Sequence, residues 1–300
     1  MRKTLLSSCV VLLLPCSSWA VLRVVTTTQD LAALARAVGG DRTEVSAIAG
    51  GDEDPHFVQA KPSYILKLKR ADLFIQVGLE LELGWAPTLL NSARNAKILP
   101  GSAGFMEASA GCDILDLPGG QVTRAEGDVH PFGNPHYWLS PENGGVIARN
   151  IAAKLRALDP EHAAAYDGNL AAFLSRLDAA RKRWSAEAAR LKGVEVVTYH
   201  RSWPNFAKSF GLEIVDYVEP KPGIPPSPKH TIELIRKIRS RKIRLIIMEP
   251  YFDLSAPRHI AKESGAAVLV LPPSVGGAKG IEDYIGLFDY DLARLSEALK

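Results

Sequence analysis

Cysteine is scarce here. Only three occur in 300 residues, and Cys9 and Cys16 lie within the first twenty. Without that stretch Cys112 stands alone, so no disulfide can form within the remaining chain. Long apolar runs are also missing. The mostly apolar stretch from Leu5 to Leu14 is about half the roughly 20 residues needed to span a bilayer. Nor is there an excess of charge of one sign. Residues 1–20 carry Arg2 and Lys3 and no acid, and removing them leaves 34 basic against 33 acidic residues. That balance argues against nucleic acid as a partner. Local metal or protease motifs are lacking as well, because none of the candidate histidines is within helical reach of another, as H-E-x-x-H would require.

The first twenty residues form a secretory signal: Arg2 and Lys3, then the apolar run, then small residues flanking a cleavage point at Ser18-Trp-Ala20. Leu13-Leu-Pro-Cys16 is only a loose lipoprotein box, since Leu14 and Pro15 stand where small residues belong. A soluble periplasmic product is therefore expected over one anchored through Cys16. The full sequence is 47% hydrophobic, and the remainder is long enough to bury a full core in two domains.

From Val21 onward, short β-branched runs alternate with helical periodicity, predicting an α/β fold: two lobes, each a mostly parallel sheet flanked by helices, joined by one long helix. The expected division is a signal peptide at 1–20, an N-terminal lobe at 21–159, a connecting helix at 160–192 and a C-terminal lobe at 193–300. In the first lobe, strands are expected at Leu22–Thr26, Thr43–Ala49 and Asp72–Val77, with helices at Gln29–Val38 and after Pro62. Ser63 is the expected N-cap of the latter, with Ile65, Leu66 and Leu68 inward. Gly84 to Ala93 reads as helical, with Trp85 near the lobe surface. Residues 100–135 are rich in Gly, Pro and polar side chains and predict a long irregular segment. A helix follows from Pro141 to Leu158. Glu161–Lys192 carries the longest helical pattern of the chain, about 48 Å at 1.5 Å per residue, enough to bridge two lobes. After Gly193 a second βα series repeats the architecture to Lys300.

Three histidines sit at element boundaries: His56 after the second strand, His136 before the Pro141 helix, and His200 after the first strand of the second lobe. Ligands of doubly wound sheets bind where loops leave the carboxyl ends of strands, so the three can meet in a cleft between lobes. Neutral imidazole suits Zn²⁺ and other late first-row ions. The remaining histidines, His130, His162, His230 and His259, read as solvated, with a transient metal contact conceivable for His130. The basic run Arg236, Lys237, Arg239, Arg241, Lys242 and Arg244 reads as a solvated face.

The words around these histidines resemble the metal-specific solute-binding proteins of zinc and manganese ABC importers. Asp54-Pro-His56, Lys61-Pro-Ser63 and Lys69 to Gly78 resemble that family's first ligand block. Asn134-Pro-His-Tyr-Trp-Leu-Ser-Pro-Glu-Asn143 resembles its second, with Asn134 where an Asp is usual. Tyr199-His200 and Phe206 to Leu212 resemble its third, and Pro226 to Lys229, Met248-Glu-Pro250 and Ile260 to Ala266 follow in order. The resemblance implies a carrier and not an enzyme. It would be a monomer that holds a metal ion as transported ligand between its lobes and delivers it to the cognate ABC permease. It also implies a fourth ligand, commonly an Asp after the last strand of the second lobe. Here Pro272 occupies that place, in Val270-Leu-Pro-Pro-Ser-Val-Gly-Gly277, so the fourth position falls to water or to another carboxylate. Glu249 leads as a fourth ligand or as an acid behind a ligand, and Asp253, Asp52 and Glu53 follow. Three imidazoles without a carboxylate favour zinc over manganese. No His-rich run precedes His136. A zinc-dependent hydrolase is the alternative of a different class, because three histidines plus an open position can also acidify a water. A surface adhesin on the same scaffold would need an anchor that the Cys16 context does not support.

Overall fold

The computed structural model describes residues 21–120 and 130–300; the signal sequence lies outside them. Among the described residues, eight strands form two four-stranded parallel sheets. In the first, β1 (Leu22–Thr26), β2 (Thr43–Ala47), β3 (Leu73–Gln76) and β4 (Phe105–Glu107) run in the order β2-β1-β3-β4. In the second, β5 (Glu195–Thr198), β6 (Glu213–Tyr217), β7 (Leu245–Met248) and β8 (Ala267–Val270) repeat it as β6-β5-β7-β8. The helices are α1 (Gln29–Gly39), α2 (Pro62–Arg70), α3 (Ala86–Ala93), α4 (Pro141–Leu158), α5 (Ala163–Leu191), α6 (Pro204–Phe210), α7 (Pro228–Arg241), α8 (Ser255–Ser264) and α9 (Tyr284–Ala298).

Period-2 side-chain alternation explains how the sheets are covered. On β1, Val24 enters one apolar cluster and Val25 another; on β3, Leu73 and Ile75 go one way and Phe74 the other. The second lobe does the same, with Val196, Leu245 and Ile247 on one face and Val197, Ile246 and Met248 on the opposite one. The two outward faces bury separate clusters, under α2 and α3 in one lobe and under α7 and α8 in the other. The two inward faces share a single core with α1, α4, α5, α6 and α9. The lobes are thus halves of one packed body. The connecting helix runs over 29 residues, about 44 Å, and packs against α1 and α4 of the first half and α6 and α9 of the second.

Several local expectations give way to packing. Pro62 itself begins α2 and Lys61 holds the N-cap position, so Ser63 lies inside the helix. The buried face of α2 is Tyr64 and Leu68, while Leu66 is 60% exposed. Trp85 is buried, because its indole N–H donates to the Pro55 carbonyl at 3.0 Å behind the His56 loop. The segment 100–135 contains β4, a three-residue edge strand too short for periodicity to register. A 3₁₀ turn at Pro160–His162 precedes the long helix, where one continuous pattern from Glu161 was expected.

Candidate metal centre

The loops that leave the carboxyl ends of β2 and β5 carry His56 and His200, and the stretch just before α4 carries His136, into the cleft between the sheets. All three side chains are buried, and one ligand nitrogen from each lies within 4.8 Å of the others. Their ring centroids are separated by 5.1, 5.3 and 5.4 Å. A Zn–N bond of about 2.0–2.1 Å puts each ring centre about 3.2 Å from the ion, so tetrahedral neighbours stand about 5.2 Å apart. The spacing therefore fits three corners of a tetrahedron.

Each ring is oriented from behind. His56 and His136 use the same device, an Asx-Pro-His triplet. Asp54 Oδ1 accepts the His56 backbone N–H at 3.0 Å and lies 2.8 Å from its Nδ1. Asn134 Oδ1 accepts the His136 backbone N–H at 2.9 Å and lies 3.0 Å from its Nδ1. One oxygen thus sets both the turn and the ring. His200 is held differently: its Nδ1 lies 2.8 Å from Glu219 Oε2. Glu219 sits there because the β5–β6 pairing runs on past the strands, with Val218 N–H donating to Thr198 O and Glu219 N–H to Tyr199 O. Against these acceptors each Nδ1 carries its proton, which leaves each Nε2 with a lone pair for an ion. Nε2 of His56 and of His136 are buried without a hydrogen-bond partner, a costly arrangement unless something binds there.

The electrostatics agree. Burial pushes His136 well below the usual imidazole range, and the neighbouring His56, His200 and His130 add to it. Burial also disfavours charge on His200, but Glu219, Glu249 and Asp54 outweigh it and raise its pKa. Asp54 is lowered, the burial cost being outweighed by His56. Two carboxylates one hydrogen bond behind the imidazoles thus offset a divalent charge although no carboxylate joins the cluster. Trp138 against His136 and Phe252 against His200, at 5.2 and 5.6 Å, make the wall apolar.

The other candidate carboxylates stay apart. Glu249, at the end of β7, is fully buried and acts electrostatically on His200, but no atom of it joins the three-nitrogen cluster. Its pKa is raised by burial, only partly offset by His200. Asp52, Glu53 and Asp253 are exposed; Glu53 accepts from Gly50 N–H and Asp253 from Ser255 N–H. Pro272 is buried in a loop that seals the lobes together. Next to it the Pro273 carbonyl accepts from the Trp138 indole at 2.9 Å. Asp30 accepts from the Ser274 hydroxyl and, at 3.0 Å, from Val275 N–H. Gly51 is required opposite this loop, since a Cβ there would stand 2.1 Å from the Val275 carbonyl oxygen.

Three histidines expected in solvent are partnered or buried. His162 is 12% exposed and pairs with Asp159 at 2.7 Å, and His230 lies 2.9 Å from the Tyr217 carbonyl. His130 packs on the ring of His56, and burial, with His56 and His200 adding to it, lowers its pKa to about 3. His259 is exposed. The basic residues of α7 lie on its outer side, with Lys237 paired to Asp216 and Arg241 to Glu195. Asp54 and Asn134 were not read from the sequence as ring supports, although the repeated Asx-Pro-His triplet is the signal that marks them. Glu219 carried no such signal, because it opens a Pro-rich stretch that resembles a surface loop.

No described helix is long and apolar enough to cross a membrane. Over 288 residues the chain is 28% identical to the manganese ABC transporter substrate-binding lipoprotein PsaA of Streptococcus pneumoniae, covering 93% of this chain and 89% of that protein. It is 27% identical to the zinc-binding lipoprotein AdcA of Streptococcus pneumoniae serotype 4, covering 98% of this chain and 60% of the other. At the same identity a relative from Streptococcus pyogenes, MtsA, is named for iron, with 97% of this chain and 95% of that protein covered. A crystal structure of ZnuA superposes with a TM-score of 0.79 at 24% identity, over 94% of this chain and 100% of the other. The family model described as zinc-uptake complex component A, periplasmic (ZnuA), matches residues 24–298. The chain belongs to that family of metal-binding solute-binding proteins of ABC importers, which are carriers that work with a permease and not enzymes.

Proposed function

We propose that this protein is a periplasmic carrier that binds one divalent transition-metal ion, zinc above manganese, through His56, His136 and His200 and delivers it to its ABC permease. The observation that carries this reading is the cluster of three buried imidazoles, each with Nδ1 engaged from behind and with ligand nitrogens within 4.8 Å. All-nitrogen ligation suits zinc, whereas manganese favours hard oxygen donors. Relatives of similar identity are named for manganese, zinc and iron, so the preference for zinc rests on the ligand chemistry. Glu249 serves as an acid behind His200 that biases the ring electrostatically. The chain acts as a monomer of two lobes, 21–159 and 193–300, about the connecting helix 160–192. It is exported by residues 1–20 and released as a soluble protein, with anchoring through Cys16 as the alternative.

The test is metal content and competitive titration of the exported protein beside His56→Ala, His136→Ala and His200→Ala. Zinc is expected in equimolar amount, bound more tightly than manganese, and lost in all three variants. Undiminished zinc binding by all three would remove the site. Tighter manganese than zinc binding would reverse the metal assignment.

A further inference from the structure

Zinc takes four ligands, and three imidazoles supply three. Asp54 and Glu219 are committed to His56 and His200, Pro272 offers no side-chain donor atom, and Glu249 stands outside the cluster. His130 also lies outside the three-nitrogen cluster, but unlike Glu249, whose carboxylate oxygens are likewise buried without a hydrogen-bond partner, it lines the cavity that His136 and His200 line. Its ring centre is 5.4 Å from that of His56, the spacing found within the triad, and its Nε2 is buried without a partner. With Asn134, His136 and His200 it lines a cavity of about 290 Å³. The backbone explains how it arrives there. His130-Pro-Phe-Gly133 is a β-turn, closed by Gly133 N–H on the His130 carbonyl at 3.2 Å, with Pro and Gly at the positions such turns favour. Gly133 has φ of 96°, and a Cβ there would stand 2.5 Å from the Ile114 side chain, so no other residue fits. Asn134 N–H then donates to the Leu115 carbonyl at 2.8 Å and pins the end of the turn. His130 therefore rides on a compact turn immediately before the rigidly held His136.

We propose that His130 is the fourth protein ligand of the metal centre, its ring crossing the cavity toward His136 and His200 when the ion binds. This rests on the three-histidine reading above. A fourth imidazole completes a neutral all-nitrogen set, excludes the water that would otherwise fill the position, and selects zinc further against oxygen-preferring ions.

The experiment uses the exported full chain and zinc alone. X-ray absorption of the zinc form counts imidazole scatterers, competitive titration gives affinity, and the visible bands of the Co²⁺ form report the donor set. Wild type is expected to show four imidazoles. His130→Ala and His130→Gln are expected to show three, with zinc bound more weakly by at least the roughly 100-fold upper end of what a merely orienting residue contributes, shifted Co²⁺ bands and an unchanged melting temperature without metal. Three imidazoles in wild type, or affinity and Co²⁺ bands unchanged in both variants, would overturn the proposal. So would loss of the fourth ligand in Glu249→Gln in place of the His130 variants. These outcomes are separable from failure of the underlying site, in which His56→Ala, His136→Ala and His200→Ala would bind zinc like wild type.

Discussion

In the first lobe each ligand is locked by the residue two places before it, within a single loop. In the second lobe His200 reaches across to the continuation of the neighbouring strand for Glu219. Both lobes have the same strand order and use loops at the same ends of their strands. The difference lies in how local the support is. An Asx-Pro-His turn orients its imidazole with a handful of backbone angles, so the first lobe's two ligands depend little on the rest of the fold. His200 depends on the β5–β6 ladder staying in register to its last residue.

The sharpest break of that comparison is removal of the ligands themselves. His136→Ala and His200→Ala should both weaken zinc binding by more than about 100-fold, beyond the 10- to 100-fold typical of residues that only orient a ligand. Isothermal competition with a chelator of known affinity measures both. A His200→Ala protein that keeps near-native affinity would mean that the first lobe suffices alone.

The supports come next. Asp54→Ala and Glu219→Ala should each cost about 10- to 100-fold in zinc affinity, equivalent to about 1.4–2.7 kcal/mol. Glu219→Gln, which keeps an acceptor and removes a charge, should cost less than Glu219→Ala. If it costs as much, charge and not orientation is what Glu219 contributes. A like-sized loss in Asp54→Asn would extend that conclusion to the first lobe.

How much of this was legible depended on how local each feature is. Asp54-Pro-His56 and Asn134-Pro-His136 carry a local signal because support and ligand are two residues apart, although only the ligands were read from it. The strands and α4 were legible because alternation and Pro141 act within a few residues; that the Ser140 side chain caps α4 by accepting from Asn143 N–H was not read from the sequence. Glu219 and His130 were hidden because one needs a ladder between β5 and β6 and the other a turn folded back on a loop after β2. The shared core was hidden too: a strand buried on both faces reads the same whether each half has its own core or both divide one. Leu66 was misread because α2 lies at the edge of its lobe, where Tyr64 and Leu68 suffice to bury it.

Asn134 sharpens the comparison from the side of stability, because it belongs to both lobes. Its Nδ2 donates to the Arg201 carbonyl at 2.7 Å and to Asp116 Oδ2 at 3.0 Å, tying the second ligand loop to the third. An Asp there would support His136 but would set a carboxylate against Asp116 and leave the half-buried Arg201 carbonyl without this donor. Asn134→Asp should lower stability by about 1–3 kcal/mol, a few degrees in melting temperature, read by urea and thermal unfolding without metal. An unchanged stability would mean that this interlobe bond contributes nothing.

A second buried tie between the halves is sensitive to pH. Asp30, on the first turn of α1, is raised by burial from 3.8 to about 7 although Ser274 and Val275 hydrogen-bond to it, and burial likewise raises Glu82 to about 7. The folded chain then holds protons that the unfolded chain has released. This contribution to stability is full below about pH 4 and is lost as pH rises through about 7. The urea midpoint of the metal-free protein should fall from pH 5 to pH 7.5, and Asp30→Asn should flatten that fall. A slope unchanged by Asp30→Asn would assign the effect to Glu82 or to groups elsewhere.

The smallest effect expected is a change of shape. A carrier whose lobes were separate domains on a hinge would close around its ion and shrink. Here the inward faces of both sheets bury one core, α5 packs on helices of both halves, and Tyr284 of the second half hydrogen-bonds to the Trp138 and Ser140 carbonyls of the first. Rotation of one lobe on the other would open apolar contacts along that whole layer, and binding one ion cannot offset such a loss. Metal capture is then left to the loops, above all those of His56, His136 and His200, which can order without moving the sheets. Small-angle scattering of zinc-loaded and zinc-free protein should give the same radius of gyration within error, while hydrogen exchange slows in those loops. A resolvable contraction on loading would show that the halves move as bodies and that the shared core yields where it crosses between them.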